Sequence, residues 1–145
     1  MRFFVDCEFD EGSNQLISLA IVSEDGKHEF YEVLRWTPPL EPWVTENILP
    51  ILQKEPLGLV EFQDKLKTFC SKFAGMHIIV NHPNDVIFFC MGIRQVAGEW
   101  IMIQPLTFEV DDGLSSKKAT VLRNALSDTR AMRVDWFNEN SFECY

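Results

Sequence analysis

Residues 1–10 of the chain read MRFFVDCEFD and predict a buried strand that ends in two acids. The apolar run of residues 3–5 is typical of a central strand. Asp6 and Glu8 follow it, and because side chains alternate along a strand, both project from the same face. Adjacent carboxylates that lose hydration repel each other, and a divalent cation such as Mg²⁺ or Mn²⁺ would cancel their charge. The alternative is an exposed strand end that holds no ion.

The pattern along the rest of the chain predicts a mixed sheet with helices on its faces. A Gly-Ser-Asn turn and an Asp-Gly turn join the first strand to two more, which predicts an antiparallel meander. The predicted strands cover residues 3–8, 16–23, 28–34, 76–80 and 100–103, and the predicted helices cover residues 43–49, 59–73, 84–92 and 125–133. The assignment of residues 106–110 stays open. This order predicts one α/β domain, residues 1–145, with a five-stranded sheet.

Length, composition and cysteine usage limit the class of protein. A chain of 145 residues, 46% of them hydrophobic, is long enough for one domain with a sizeable core. No apolar run approaches the roughly 20 residues of a membrane span, and the apolar stretch near the start is broken too early for a signal peptide. The four cysteines are far apart, at positions 7, 70, 90 and 144. We therefore predict reduced thiols in a cytoplasmic protein that does not bind membranes.

The charge of the chain is unevenly distributed. Thirteen basic and 22 acidic residues give a net charge of −9, which argues against a protein that coats nucleic acid in general. Residues 117–133, by contrast, carry five basic side chains and one acid, a local charge of +4. Either this segment is a solvated helix face, or it forms a local surface that attracts phosphate groups.

Two further acids lie where α/β proteins often place ligands. Asp85 follows the predicted strand 76–80 at the start of a helix, and strand ends next to helix starts are common ligand sites. Asp128 lies in the first turns of the last predicted helix, where the helix dipole favours a carboxylate. On these grounds alone, each acid could equally be a helix-capping residue.

Taken in order, the four acids resemble a nuclease signature. Asp6 and Glu8 in the first strand, then Asp85 and Asp128, match the DEDD exonucleases of the ribonuclease H-like fold. The stretches RFFVDCEF, LISLAIVSEDGK, WVTENILP and ALSDTR look like those of the short RNase AS-like family of 3′–5′ exoribonucleases. The resemblance covers most of the chain, although residues 55–75 and 100–116 add little to it and the stretch around Asp85 is the loosest match.

This resemblance implies hydrolysis of phosphodiester bonds at the 3′ ends of RNA or single-stranded nucleic acid, with release of nucleoside monophosphates. The four acids would hold two Mg²⁺ or Mn²⁺ ions. Phe9 would meet the terminal nucleotide, with a core aromatic residue as the alternative, and His82 would lie near the substrate. Relatives form dimers, so a homodimer is a further expectation. The four tryptophans fit either an interface or a core.

One position departs from the family pattern. In the histidine branch of the family, a histidine five residues before the last aspartate acts as general base, and this chain has Arg123 there. Arginine stays protonated and cannot take a proton from water, and general-base assistance is typically worth about 10²–10⁴-fold in rate. The chain could be a slow or silent homologue, could use another base such as His82, or could be a variant of an active parent. If it faces the site, Arg123 could pair with a phosphate.

Overall fold

In the computed structural model, a five-stranded mixed sheet is flanked by helices, as the sequence predicts. The structure describes residues 1–95 and 98–141, so Cys144 lies outside the described residues. The elements are β1 (Arg2–Asp10), β2 (Gln15–Ser23), β3 (Glu29–Val33), α1 (Pro42–Asn47), a 3₁₀ turn (Leu49–Ile51), α2 (Leu59–Cys70), β4 (Met76–Val80), α3 (Pro83–Ile93), β5 (Leu106–Val110) and α4 (Ala125–Asn140).

The sheet has β1 at its centre, in the order β3-β2-β1-β4-β5. The first three strands form the predicted antiparallel meander, and β4 and β5 run parallel to β1. This is the strand arrangement of the ribonuclease H-like fold. Cys7, Cys70 and Cys90 are free thiols. No helix within the described ranges is long and apolar enough to cross a membrane.

Side chains of β1 alternate between two buried layers. Phe3, Val5 and Cys7 belong to the apolar cluster that the sheet forms with α2 and α3. Phe4 faces α4, where its ring lies 5.7 Å from that of Trp136. The next two side chains on the α4 face are the two acids of the strand, which therefore emerge beside a helix that packs tightly on the sheet.

The fifth strand is formed by residues 106–110, and the prediction of a strand over residues 100–103 is wrong. Leu106–Val110 pairs in parallel with all five residues of Met76–Val80. Trp100 makes only an isolated antiparallel bridge with Arg94. In the segment after it, two buried isoleucines flank an exposed methionine. That alternation of buried and exposed residues is the pattern of an edge strand and explains the wrong prediction.

Three helices end two or more residues away from the predicted position. The last helix, α4, continues to Asn140 instead of ending at residue 133, because Trp136 packs against Phe4 and adds a buried contact in the extra turn. The second helix ends at Cys70, before residue 73, and α1 ends at Asn47, before residue 49. None of these differences moves a strand end or a predicted site residue to another element.

We expect the core between the sheet and α2 to dominate stability. Leu66 is fully buried, whereas Leu59 of the same helix is 55% exposed. Leu66→Ala should lower the free energy of unfolding by about 2–5 kcal/mol through lost burial and a residual cavity. The matched change Leu59→Ala should cost less than about 1 kcal/mol, because exposed sites contribute little. Urea denaturation measures both, and equal losses would contradict this packing.

Candidate metal centre

Asp6 and Glu8 lie on the face of β1 that contacts α4. They pair across the sheet with Ala20 and Ser18 of β2, whose small side chains leave space beside the two carboxylates. Directly after Glu8 the register of β1 against β2 shifts, because β2 has an extra residue at this point. Such bulges are common next to functional sites, where they redirect the strand.

The start of α4 brings Asp128 to the same face of the sheet. The N-cap of the helix is Asn124, and its Oδ1 accepts the N–H of Ser127 at 3.1 Å. The side-chain amide of Asn124 also donates to the Ile51 carbonyl at 2.9 Å. One residue therefore caps the helix and ties it to the segment after α1, which holds the first turn of α4 in place over β1.

The acids of β1, α3 and α4 converge on one cavity of about 300 Å³. Single carboxylate oxygens of Asp6, Glu8 and Asp128 lie within 4.8 Å of one another. Asp85 lines the same cavity from the start of α3, and its Oδ1 accepts the N–H of Cys7 at 3.0 Å. That bond fixes Asp85 to the central strand and leaves its other oxygen for a ligand. The structure thus brings together all four acids of the sequence pattern.

Burial and mutual repulsion raise the pKa values of these acids. Loss of hydration raises the pKa of Glu8 to about 9, and the charges of Asp128 and Asp85 add to the shift. The Arg123 guanidinium only partly opposes this rise. Burial also raises the pKa of Asp85 to about 7 and that of Asp128 to about 6. The pKa of Asp6 is raised well above its usual range, mainly by burial.

The cluster fits a divalent cation. Asp6 Oδ2 and Asp128 Oδ1 are buried, and neither has a hydrogen-bond partner among the described residues. A buried carboxylate oxygen without a donor is costly, and a bound cation would compensate for the lost hydration. Carboxylate oxygens are the ligands that Mg²⁺ and Mn²⁺ prefer. Asp6, Glu8 and Asp128 could therefore hold a cation, with Asp85 at the same cavity.

Arg123 lies at the mouth of this cavity and is held against Trp43. The guanidinium carbon is 4.7 Å from the centre of the indole ring, a cation–π contact. The backbone φ of Arg123 is +67°, in the left-handed region that few residues other than glycine adopt. This loop geometry places a permanent positive charge beside four acids. Because the guanidinium is always protonated, Arg123 cannot accept a proton.

Phe9 and His82 line the same cavity, and each also has a structural role. The ring of Phe9 stacks on Phe88 with centroids 4.2 Å apart, so its inner face belongs to the core. The Nδ1 atom of His82 accepts the N–H of Asn84 at 3.1 Å and so caps α3. Neutral histidine with an acceptor at Nδ1 carries its proton on Nε2. His82 is therefore suited to donate a hydrogen bond and poorly suited to take a proton from water.

Trp43 and Asn81 also line the cavity and were not predicted as site residues. Asn81 directly follows β4, and a polar residue at that strand end is a signal that the sequence offers. Trp43 had no such signal, because its position depends on the contact with a loop that is distant in sequence. The sequence predicted the acids better than it predicted the residues around them.

The sequence was compared with protein-family models and with curated proteins, and neither comparison found a match. The family resemblance therefore stays a prediction that depends on the quoted stretches and on the four acids.

In metal-free buffer we expect the free energy of unfolding to fall from about pH 5 to about pH 8.5. Unfolded carboxylates lose their protons near pH 4, whereas native Asp128, Asp85 and Glu8 keep theirs up to about pH 6, 7 and 9. The native state therefore binds more protons than the unfolded state in this range, and stability is lost as the pH rises. Urea midpoints measured in EDTA test this.

The matched variant for this experiment is Asp128→Asn, which removes one charge with little change in size. In EDTA near pH 8 its melting temperature should exceed that of the parent, because repulsion within the cluster is weaker. Mn²⁺ should stabilise the parent more than the variant, because one ligand is missing. A parent midpoint that rises throughout this pH range in EDTA, with no response to Mn²⁺, would contradict the site.

Proposed function

We propose that this chain is a metal-dependent nuclease that removes nucleoside monophosphates from the 3′ ends of RNA or other single-stranded nucleic acid. The observation that supports this most strongly is the convergence of Asp6, Glu8, Asp85 and Asp128 on one cavity, with buried oxygens that lack donors within the described residues. Two divalent ions held by such acids stabilise both the attacking and the leaving oxygen of an in-line displacement at phosphorus.

Arg123 would bind a phosphate group of the substrate in this proposal. Its guanidinium has several N–H donors in a plane and pairs well with phosphate oxygens. The Trp43 ring covers one face of the guanidinium and restrains the side chain before the substrate arrives. An arginine at this position would therefore hold a phosphate beside the acids and lower the repulsion that the acids exert on it.

Phe9 and His82 would contact the terminal nucleotide. Phe9 is half-buried, and its stack on Phe88 fixes the ring before binding, which lowers the entropic cost of a contact with an apolar nucleotide surface. His82 is exposed, and its Nε2 proton is available to a sugar or phosphate oxygen. Both roles are binding roles, and neither supplies a base.

We expect the rate of phosphodiester hydrolysis to be low. Apart from the four acids, the described lining of the cavity contains no side chain placed to accept a proton, because Arg123 is protonated and the His82 acceptor caps α3. General-base assistance typically contributes about 10²–10⁴-fold. We therefore propose a nuclease that depends on the metal site and on substrate positioning more than on a side-chain base.

The test uses 5′-labelled RNA and DNA oligonucleotides with free 3′ ends, incubated with Mn²⁺, with Mg²⁺ and with EDTA. We expect stepwise shortening with a metal ion, none in EDTA, and none with a 3′-blocked oligonucleotide. Asp6→Asn should abolish shortening, because it removes a carboxylate at the centre of the cluster. No shortening of either substrate, together with no metal-dependent rise in melting temperature, would overturn the proposal.

A catalytically silent homologue that binds nucleotides is the second candidate. The observation that favours it is the contact of Arg123 with Trp43, which keeps a cation in place of the general base of the resembled family. A rise in melting temperature with Mn²⁺ but no shortening of any oligonucleotide would support this candidate over the first.

Replacing Arg123 with histidine tests whether the lack of a general base at this position is the cause of low turnover. Histidine tolerates the left-handed backbone at this position better than most residues. Arg123→His should raise turnover by about 10²–10⁴-fold, with a rate that increases with pH around the histidine pKa. The control Arg123→Gln removes the charge without adding a base and should give no such gain. Equal rates in both variants, with metal binding intact, would refute this explanation of position 123.

A further inference from the structure

A second cavity, of about 440 Å³, lies between the loop after β5 and the outer face of α4. We call it the basic groove. Its rim and floor are formed by Lys117, Lys118, Arg130, Ala119, Ala131 and Val134. Val134 is 50% exposed, so the floor offers an apolar surface to whatever enters. Basic side chains around a shallow apolar floor can contact both the phosphates and the bases of a nucleic acid.

Two of the positive charges at this groove have no ion-pair partner among the described residues. Arg130 pairs with Glu29 at 2.8 Å, and the acid of the groove, Asp135, accepts the N–H of Ser115 at 2.8 Å. Lys117 and Lys118 are exposed, and neither has an ion-pair partner within residues 1–95 and 98–141. In a chain of net charge −9, such a pair of free lysines favours an anionic ligand.

The basic groove and the acidic cavity are lined by consecutive residues of α4. Ser127 lines the groove and Asp128 lines the cavity, and consecutive Cα atoms are only about 3.8 Å apart. The loop between the two is pinned to α4, because Ser127 Oγ accepts the N–H of Val121 at 2.9 Å and lies 3.1 Å from the Thr120 hydroxyl. Arg123 lies on this loop and faces the acidic cavity. Lys117, Lys118 and Arg123 therefore belong to one short segment that lines the groove at one end and the acidic cavity at the other.

We infer that the basic groove binds the backbone of a single-stranded nucleic acid whose 3′ end occupies the acidic cavity. The inference depends on the proposed function for the direction of the strand, but the groove itself can be tested without turnover. Lys117 and Lys118 contact phosphates, and the apolar floor receives sugars or bases. A second copy of the chain fits less well, because a two-fold pair built on this surface would place two basic grooves against each other.

The test measures binding of a fluorescent 12-nucleotide single strand by anisotropy in EDTA, where no hydrolysis occurs and the metal site contributes no attraction. Lys117→Gln combined with Lys118→Gln should weaken binding about tenfold, and the slope of log K against log salt should decrease by about 1.4, two phosphate contacts on a single strand. The control Lys67→Gln with Lys72→Gln removes the same charge from exposed lysines in and just after α2, on the other face of the sheet, and should change binding little.

The outcomes distinguish the groove from the proposed activity. Selective weakening in the Lys117 and Lys118 variant supports the groove, whether or not oligonucleotides are shortened in Mn²⁺. Equal weakening in both double variants, or no binding by the parent in EDTA, overturns the groove and leaves the nuclease proposal to its own assay. Light scattering of the parent and of the groove variant gives a second check. A molecular mass that is half as large in the variant as in the parent would identify a second copy of the chain as the occupant and refute the inference.

Discussion

Repulsion among carboxylates at the end of the central strand is the constraint on which this structure depends. Four acids share one small cavity, and two of their buried oxygens have no donor within the described residues. Burial raises the pKa values of all four acids, and neighbouring carboxylates add to the rise for Asp6, Glu8 and Asp85, so these groups resist ionising in the cavity. A bound divalent cation would offset this repulsion, and carboxylate oxygens are ligands that Mg²⁺ and Mn²⁺ prefer.

The rest of the fold serves to hold these acids together against their repulsion. The central strand supplies two of them, with its opposite face anchored in the apolar cluster of α2 and α3. The Cys7 N–H holds Asp85 on α3, and the Asn124 cap holds the first turn of α4. Arg123 lines the same cavity, and its charge offsets part of the negative charge of Glu8 and Asp128.

Local pattern was enough to predict the antiparallel meander and the placement of Asp6 and Glu8, because a period of two depends only on the strand itself. The convergence of Asp85 and Asp128 depended on the family resemblance, since no local pattern reveals which strands and helices become neighbours. The fifth strand was misassigned because two apolar segments fit equally well, and pairing with β4 decides between them. The Arg123–Trp43 contact could not be predicted, because it needs a left-handed backbone at a residue other than glycine.

The central claim is that the acidic cluster is a metal centre, and calorimetric titration of Mn²⁺ near pH 7 in two buffers of different ionisation heat tests it most directly. The account predicts saturable binding with release of protons, because Glu8 is still protonated there and must lose its proton to bind a cation. Binding and proton release should both be lost when Asp6→Asn is combined with Glu8→Gln. No saturable binding, or binding that this double variant leaves unchanged, would contradict the account.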